Sequence, residues 1–164
     1  MTAVMERVTC VWETSSDEDT EELAALLARG LRAPLVVLLQ GDLGAGKTTF
    51  VRGFVRALKG GEDVVVQSPT FALARSYQTT PLVRHLDLYR LQGADSAALD
   101  ELGLTEMLDQ PDGFAFVEWP VDRIETAAGR LEFTILDEQR RRIHVDIPRA
   151  SCSQALVERL RCEG

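Results

Sequence analysis

The chain contains 164 residues, 45% of them apolar and 27% charged, so it is long enough to form one folded domain over residues 1–164. Its formal net charge of −8 and its pI of about 4.8 argue against a broad nucleic-acid-binding face, and its three widely spaced cysteines argue against a disulfide framework or a zinc site. No apolar run approaches the ~20 residues of a membrane helix and the first residues lack the apolar core of a signal peptide, so we expect a cytoplasmic protein with no membrane contact.

The N-terminal part predicts a strand, a helix and a second strand. Residues 8–12 alternate loosely between apolar and polar and indicate the first strand. Residues 15–18, Ser-Ser-Asp-Glu, resemble a capping box, and we interpret them as the start of a helix rather than as contacts to a nucleotide base. The apolar run 35–39 indicates a buried strand. The predicted apolar face of the helix consists of Leu23, Leu26, Leu27 and Leu31.

A glycine-rich run follows the second strand. It reads GDLGAGKTT at residues 41–49 and matches the phosphate-binding pattern G-x-x-x-x-G-K-[ST]. Residues 49–58 have apolar positions at helical spacing, so the run lies between a strand and a helix, as this chemistry requires. Glycines let backbone N–H groups surround an anion, and the helix dipole adds positive partial charge. We expect Lys47 to reach the β- and γ-phosphates and Thr48 to place its hydroxyl on Mg²⁺.

A short polar segment follows the next predicted strand, which is the buried run 64–66. It reads Gln-Ser-Pro-Thr-Phe at residues 67–71, the place where nucleotide hydrolases carry switch segments downstream of a phosphate loop. In that interpretation Thr70 senses the γ-phosphate or holds the Mg²⁺ shell. A plain turn is the alternative, and spacing alone does not choose between them.

Two later strands each end in an acidic residue. Residues 72–77 and 82–88 predict a hairpin whose second strand delivers Asp87, and the apolar strand 114–118 ends at Glu118. A carboxylate at the carboxyl end of an apolar strand is typical of a metal-side acid near a nucleotide. One acid would orient the water of the Mg²⁺ shell and the other the attacking water, in an order that the sequence leaves open. For each acid, the alternative role is to cap the next turn.

The neighbours of these acids are weaker candidates. Neither His85 nor His144 has a serine or cysteine partner at suggestive spacing, so we favour a structural role for both. Trp119 either packs in the core or lies at a rim over the nucleotide or at a partner interface, because aromatic residues do both.

The rest of the chain predicts two short helices, a late hairpin and a final helix. The hairpin turn ends in the basic residues 140–142, which we interpret as a solvated tip rather than as a nucleotide contact. Ser151 is expected to cap the final helix, with Ala155, Leu156 and Leu160 on its apolar face. The helices are predicted at residues 95–102 and 105–108, and the hairpin strands at residues 131–136 and 142–147.

The motifs occur in an order that resembles one family. They are GDLGAGKTTF at residues 41–50, Arg52-Gly53, SPTF at 68–71, HLDLYRL at 85–91, ELGL at 101–104 and EWP at 118–120. The phosphate loop alone is widespread, whereas the SPTF, DLYRL and EWP set together is highly specific. From its first helix to Pro120, the chain is similar to the bacterial TsaE (YjeE) ATPases.

This resemblance implies a P-loop ATPase that acts in making threonylcarbamoyladenosine on tRNA. Members of the family work with TsaB and with TsaD, which transfers the threonylcarbamoyl group, and their hydrolysis of ATP is expected to reset that assembly. The chain would then meet tRNA only indirectly, through the assembly. The family's phosphate contacts match Leu43, Gly44, Ala45, Gly46, Lys47 and Thr48; its Mg²⁺ positions match Thr48 and Glu118; Thr49, Asp87 and Trp119 match further functional positions.

Taken together, Lys47, Asp87 and Glu118 are the expected catalytic residues, and Thr48, Asp87 and Glu118 form the metal side. The order of elements predicts an α/β, three-layer P-loop NTPase fold whose mainly parallel central sheet has antiparallel additions. Two alternatives to an ATPase subunit are a nucleotide-dependent switch with little turnover and a small-molecule kinase. A kinase needs an arginine-rich lid, which no long insertion supplies. The N-K-x-D guanine reader of GTPases and the L-S-G-G-Q motif of ABC ATPases do not occur.

Overall fold

The structure is a computed structural model that describes residues 4–69, 72–109, 112–119 and 128–163. These residues form one mixed sheet with α-helices packed on it. The strands are β1 (Arg7–Thr14), β2 (Leu35–Gln40), β3 (Ala74–Tyr77), β4 (Val83–Asp87), β5 (Phe114–Glu118), β6 (Gly129–Ile135) and β7 (Arg141–Pro148). The α-helices are α1 (Asp17–Gly30), α2 (Lys47–Arg56), α3 (Ser96–Glu101), α4 (Leu104–Asp109) and α5 (Gln154–Glu163).

The sheet has a parallel centre and antiparallel margins. Its strand order is β1-β7-β6-β2-β5-β4-β3, and β6, β2, β5 and β4 run parallel to one another. β7 pairs antiparallel with β6 and β1, and β3 pairs antiparallel with β4. This confirms the predicted sheet. Because β2, β4 and β5 are parallel, their carboxyl ends meet at one edge, where ligands bind in folds of this kind.

Successive residues of β2 are buried on opposite faces of the sheet, as a central parallel strand requires. Val37 and Leu39 belong to the larger core cluster, which also contains side chains of α1, α2 and α5. Leu38 belongs to the smaller cluster, together with Leu99 of α3 and Leu104 of α4. Helices therefore cover both faces, and the predicted three-layer arrangement is confirmed.

Two phenylalanines one turn apart fix α2 to the sheet. The ring of Phe54 packs edge-on against Phe116 and Phe114, with centroids 4.7 and 4.9 Å away. Phe50 contacts Phe116 and Phe133, each with a centroid distance of 6.0 Å. Such pairs contribute about 0.5–1.5 kcal/mol each beyond the area they bury. The packing holds the first turn of α2, and the loop before it, against β5 and β6.

One predicted strand is wrong. Residues 64–66 form no strand, and Val65 is 72% exposed whereas Val66 is buried. Among the described residues the sheet edge beside β4 is taken by β3, so this segment pairs with no strand. Valine favours the strand conformation, but a strand forms only where a neighbouring strand offers backbone hydrogen bonds.

The final helix begins later than predicted. Ser153, not Ser151, caps α5, because its Oγ accepts the backbone N–H of Leu156 at 3.2 Å. Ser151 instead ends a 3-10 helix, Arg149–Ser151. The buried face of α5 consists of Leu156, Val157 and Leu160, whereas Ala155 is exposed. Leu156 and Leu160 of the predicted face are confirmed, whereas Val157 is buried in place of Ala155.

The other predicted elements are confirmed, including both hairpins and both short helices. A cap of α1 forms as predicted, but one residue later than the run 15–18 suggests, with Ser16 and Asp19 in place of Ser15 and Glu18. Ser16 Oγ accepts the N–H of Asp19 at 3.1 Å, and Asp19 Oδ2 accepts the N–H of Ser15 at 2.9 Å. Across the described ranges, every helix is too short or too polar to cross a membrane.

Candidate functional site

The glycine-rich run lies between the end of β2 at Gln40 and the start of α2 at Lys47. Gly46 precedes the helix with φ of +103°, a conformation that glycine adopts at little cost. A Cβ at Gly41 would lie 2.8 Å from the carbonyl oxygen of Phe133, so the loop passes close against β6. The loop therefore needs glycine at both positions. The first N–H groups of α2 have no acceptor within the helix, so they are suited to an anion.

The side chain of Lys47 is buried beside this loop. Its Nζ donates to the carbonyl oxygen of Gly41 at 2.6 Å and lies 4.1 Å from the centroid of the Trp119 ring. Burial lowers the pKa of Lys47, while the carboxylates of Glu118 and Asp87 act in the opposite direction. Because little water screens this ammonium group, its attraction to a nearby anion is stronger than it would be at the surface.

Asp87 and Glu118 lie side by side at the ends of adjacent parallel strands. They are partners in the β4–β5 register and are only 5% and 3% exposed. Residues in register on neighbouring strands project to the same face, so both carboxylates act on the Lys47 ammonium group. Asp87 Oδ1 also accepts the backbone N–H of Tyr89 at 3.0 Å, so this acid caps the turn that follows as well.

Glu118 is contacted by two further polar side chains. Thr48 Oγ1 lies 3.4 Å from Glu118 Oε1, and His85 Nε2 lies 3.0 Å from the same oxygen. Thr48 comes from the first turn of α2 and His85 from β4, so three elements meet at one carboxylate. The sequence predicted Thr48 and Glu118 for the site and gave His85 a structural role. The contact of His85 with Glu118 was not predicted.

Trp119 follows Glu118 with an unusual backbone conformation. Its φ is +54°, a region that residues other than glycine rarely occupy. Its ring packs edge-on against Tyr89 with a centroid distance of 5.2 Å, and its carbonyl oxygen accepts Gln92 Nε2 at 2.8 Å. The turn places the indole over Lys47 instead of in a core cluster. A role of Trp119 over a nucleotide or at a partner interface stays a prediction.

The remaining predicted residues are spread around the loop. Leu43 is 91% exposed at the tip, whereas Ala45 is buried beneath it. Thr49 Oγ1 accepts Arg52 Nη2 from its own helix at 3.4 Å. Thr70, the proposed sensor, lies outside the described residues. The loop thus presents its backbone, Lys47 and Thr48 toward the acids, while Leu43 extends into solvent.

The late hairpin also reaches the loop, which the sequence interpretation did not predict. Arg141 Nη2 donates to the carbonyl oxygen of Gly44 at 3.1 Å. Its neighbours behave as expected for an exposed tip, since Arg140 pairs with Asp137 and Arg142 with Glu13. The contact follows from topology: β6 runs parallel to β2 beside it, so the turn after β6 ends at the same edge as the loop. No local sequence signal carries that information.

The predicted site residues lie within a range that matches a known family. A family model described as threonylcarbamoyl adenosine biosynthesis protein TsaE matches residues 14–148. The chain belongs to the TsaE family. The match confirms the resemblance carried by the motifs, and it extends beyond Pro120, where the motifs stop, to the end of β7.

Individual TsaE proteins agree with this assignment. The tRNA threonylcarbamoyladenosine biosynthesis protein TsaE of Aquifex aeolicus is 38% identical over 131 residues, which cover 79% of this chain and 90% of the relative. The protein of the same name from Rickettsia felis is 41% identical over 106 residues, covering 64% of this chain and 59% of the relative. The crystal structure of Bacillus subtilis YdiB is similar with a TM-score of 0.68 at 26% identity, over 98% of each chain.

TsaE proteins are described as proteins of tRNA threonylcarbamoyladenosine biosynthesis. In this member of the TsaE family, β2, α2, β4 and β5 together supply a backbone cradle, one buried lysine, one hydroxyl and two buried carboxylates. A triphosphate and a divalent cation are the ligands whose charges this set complements.

Proposed function

We propose that this chain binds and hydrolyses Mg-ATP as the ATPase subunit for threonylcarbamoyladenosine modification of tRNA. The observation that carries the proposal is the convergence of Thr48 and Glu118, whose side chains meet at 3.4 Å although they are 70 positions apart in the chain. Burying a lysine beside two carboxylates adds little to stability, because desolvation offsets much of the attraction. Such a cluster at the carboxyl edge of a parallel sheet therefore indicates a binding and catalytic site.

The phosphates are proposed to bind at the loop. Backbone N–H groups of the loop and of the first turn of α2 surround the β- and γ-phosphates, except that of Ala45, which donates to the Asp42 carbonyl oxygen at 3.0 Å. The N-terminus of α2 adds its positive partial charge. Lys47 exchanges its bond to the Gly41 carbonyl for a bond to phosphate, a small movement for a flexible side chain. Trp119, at the rim above Lys47, shields that ammonium group from water.

The residues present also fit Mg²⁺ bound together with the nucleotide. Thr48, Asp87 and Glu118 offer only oxygen ligands, which Mg²⁺ prefers, and one or two carboxylates are its usual protein complement beside phosphates and water. When bound, the ion neutralises the charge that develops on the phosphoryl oxygens.

The two acids are proposed to divide the work. The contact with Thr48 supports Glu118 as the carboxylate on the metal side, because in P-loop proteins the Ser or Thr of the loop shares the ion with a strand-end acid. Asp87 is then the acid that accepts a hydrogen bond from the attacking water. Its backbone N–H donates to the carbonyl oxygen of Leu73 at 2.9 Å, which holds the end of β4 in place.

The partners are proposed from family membership and charge. TsaB-like and TsaD-like proteins form the modifying assembly in the cytoplasm, and hydrolysis by this chain resets it for the next round. With a net charge of −8, the chain is poorly suited to bind tRNA by itself, so it meets tRNA through the assembly.

Phosphate release from ATP tests the proposal, measured for the protein alone, with each partner separately and with both. We expect Mg²⁺-dependent release that rises several-fold only when both partners are present. Threonylcarbamoyladenosine formed on tRNA is measured in parallel with ATP or with its β,γ-imido analogue. A reset role predicts many rounds with ATP and a single round with the analogue.

Other outcomes favour the alternatives. Nucleotide binding without turnover, even with both partners, favours a switch. Transfer of labelled γ-phosphate to a small acceptor favours a kinase. Equal numbers of rounds with ATP and the analogue would exclude the reset role while leaving nucleotide binding intact.

A further inference from the structure

His85 has an unusual position for a polar side chain. It lies on β4 with a relative exposure of 0%, and its strand partner on β5 is Phe116. Its Nε2 lies 3.0 Å from Glu118 Oε1, while its Nδ1 is buried and has no hydrogen-bond partner among the described residues. The ring therefore makes one polar contact and leaves its other nitrogen unsatisfied.

Packing does not account for a histidine at this position. Val83 precedes it by two residues on the same face of β4, and Phe114 and Phe116 are the same-face neighbours on β5; all three are apolar and buried. A leucine in place of the ring would fill similar space without burying an unsatisfied nitrogen, which is costly. A residue that breaks the local packing rule in this way points to function.

The direction of the hydrogen bond follows from the acid. When Glu118 is ionised its oxygens only accept hydrogen bonds, and in that state Nε2 of His85 is the donor. Oε1 also faces the hydroxyl of Thr48, whereas Oε2 receives no hydrogen bond from the described residues. Oε1 of Glu118 is thus contacted by His85 of β4 and Thr48 of α2, whereas Oε2 is available to bind a ligand.

We propose that His85 is a positioning residue for Glu118, fixing the rotamer of this carboxylate so that Oε2 is presented to the divalent cation of the bound nucleotide. The inference rests on the metal-side role proposed for Glu118. Partners that orient metal-binding side chains are typically worth about 10- to 100-fold in metal affinity. Loss of the Nε2 donor should therefore weaken cation binding without weakening phosphate binding by the loop.

The test measures Mn²⁺ binding by EPR in the presence of β,γ-imido-ATP, for the whole chain and its variants. His85→Leu should weaken Mn²⁺ binding about 10-fold or more, because the donor is lost at similar volume. His85→Gln should restore most of it, since its amide nitrogen reaches about as far as Nε2, whereas the shorter His85→Asn should not. Affinity for β,γ-imido-ATP in EDTA should be equal in all variants.

The other histidine supplies a matched control. His144 lies on β7, which β6, β2 and β5 separate from β4. His144→Leu should leave Mn²⁺ binding at the wild-type value. Thermal unfolding monitored by circular dichroism checks that each variant is folded; if His85→Leu does not fold, the comparison of Gln with Asn carries the test.

Glu118→Gln separates this inference from the proposed function. If Glu118→Gln weakens Mn²⁺ binding and the His85 variants do not, or if His85→Gln is as defective as His85→Asn, the positioning role is overturned. If Glu118→Gln leaves Mn²⁺ binding unchanged, the metal-side role of Glu118 and the inference built on it are both overturned. Weakening by Glu118→Gln, His85→Leu and His85→Asn but not by His85→Gln supports both.

Discussion

At the scale of single residues, the site depends on one buried cation. Lys47 is held between the Gly41 carbonyl and the Trp119 ring; burial lowers its pKa, and Glu118 and Asp87 oppose that shift. An apolar side chain would be easier to bury in this place than a lysine. That arrangement places the Lys47 side chain beside the loop, where it can bind a phosphate group.

Lys47→Ala is expected to abolish most phosphate release from ATP. Removal of one preorganised charge at a transferring phosphoryl group costs about 10²- to 10³-fold in rate, by analogy with removal of an oxyanion donor. The far-UV circular dichroism spectrum should be unchanged, because the phenylalanines of α2 hold the helix in place. Phosphate release under saturating Mg-ATP is the measurement.

Lys59→Ala is the matched control for that experiment. Lys59 is the other lysine of the chain and is exposed beyond the far end of α2. The Lys59→Ala protein should hydrolyse ATP at the wild-type rate. Undiminished release by Lys47→Ala would remove this residue from the site.

At the scale of elements, α2 is placed by two close contacts, one with the sheet and one with α1. The sheet contact is aromatic, through Phe50 and Phe54. The contact with α1 depends on Gly53, since a Cβ there would lie 2.6 Å from Glu21 Cα and 2.7 Å from Glu21 O. The same pair of helices is joined by an ion pair from Arg52 Nε to Glu21 Oε1 at 2.9 Å. The close packing of α2 against α1 therefore helps to set the position of Lys47 and Thr48 at the start of α2.

Gly53→Ala is expected to destabilise the protein even though alanine is the better helix former by about 1 kcal/mol. The added methyl group meets backbone that cannot move aside, and overpacking of this kind costs typically about 1–3 kcal/mol. Urea unfolding followed by circular dichroism measures the effect. Arg52→Ala removes the ion pair but not the close crossing, and should cost no more than about 1 kcal/mol. A stabilised Gly53→Ala protein would show that the helices separate freely here.

Ser16→Ala tests the start of α1. Loss of the hydroxyl that accepts the Asp19 N–H should lower the free energy of unfolding by about 1 kcal/mol. Ser15→Ala is the control, since only the backbone of Ser15 takes part in the cap, and its effect should stay within about 0.5 kcal/mol. Equal effects of the two substitutions would contradict the assignment of Ser16 as the cap.

At the scale of the whole molecule, the β1 margin of the sheet is covered by α5. β1 and α5 cover the end of the larger core cluster, and Cys10 and Cys152 are buried there. Cys162 near the end of α5 is exposed. Burial also raises the pKa of the Cys152 thiol, which keeps it protonated at neutral pH. The thiols therefore report whether this margin is packed.

One thiol of three is expected to react rapidly with Ellman's reagent in the native protein, because the reactive thiolate must be both accessible and formed. All three should react in denaturant. Cys162→Ser should abolish the rapid native reaction and leave two thiols in denaturant. Rapid native labelling of two or more thiols would mean that α5 does not stay packed on β1.

The sequence alone predicted most of the fold, because most elements are fixed by local patterns. The run at residues 41–49 needs glycines for its dihedrals, α1 carries its own cap, and the hairpin β6–β7 has alternating strands around a polar turn. The strand predicted at residues 64–66 and the predicted start of α5 were wrong, because distant parts of the chain decide the structure at both places. Residues 64–66 have strand-forming side chains and pair with no strand, and α5 is phased by the core it packs against.

The candidate residues were likewise visible one at a time, as a lysine and threonine in a loop pattern and as acids at strand ends. Only the tertiary structure decided that Asp87 and Glu118 are in register, that His85 bonds to Glu118 and that Arg141 reaches Gly44. The spacing of residues along the chain predicts local structure, because caps, turns and periodicity act within a few positions. Which side chains meet across the sheet depends on strand order and register, which are set by packing of the whole molecule.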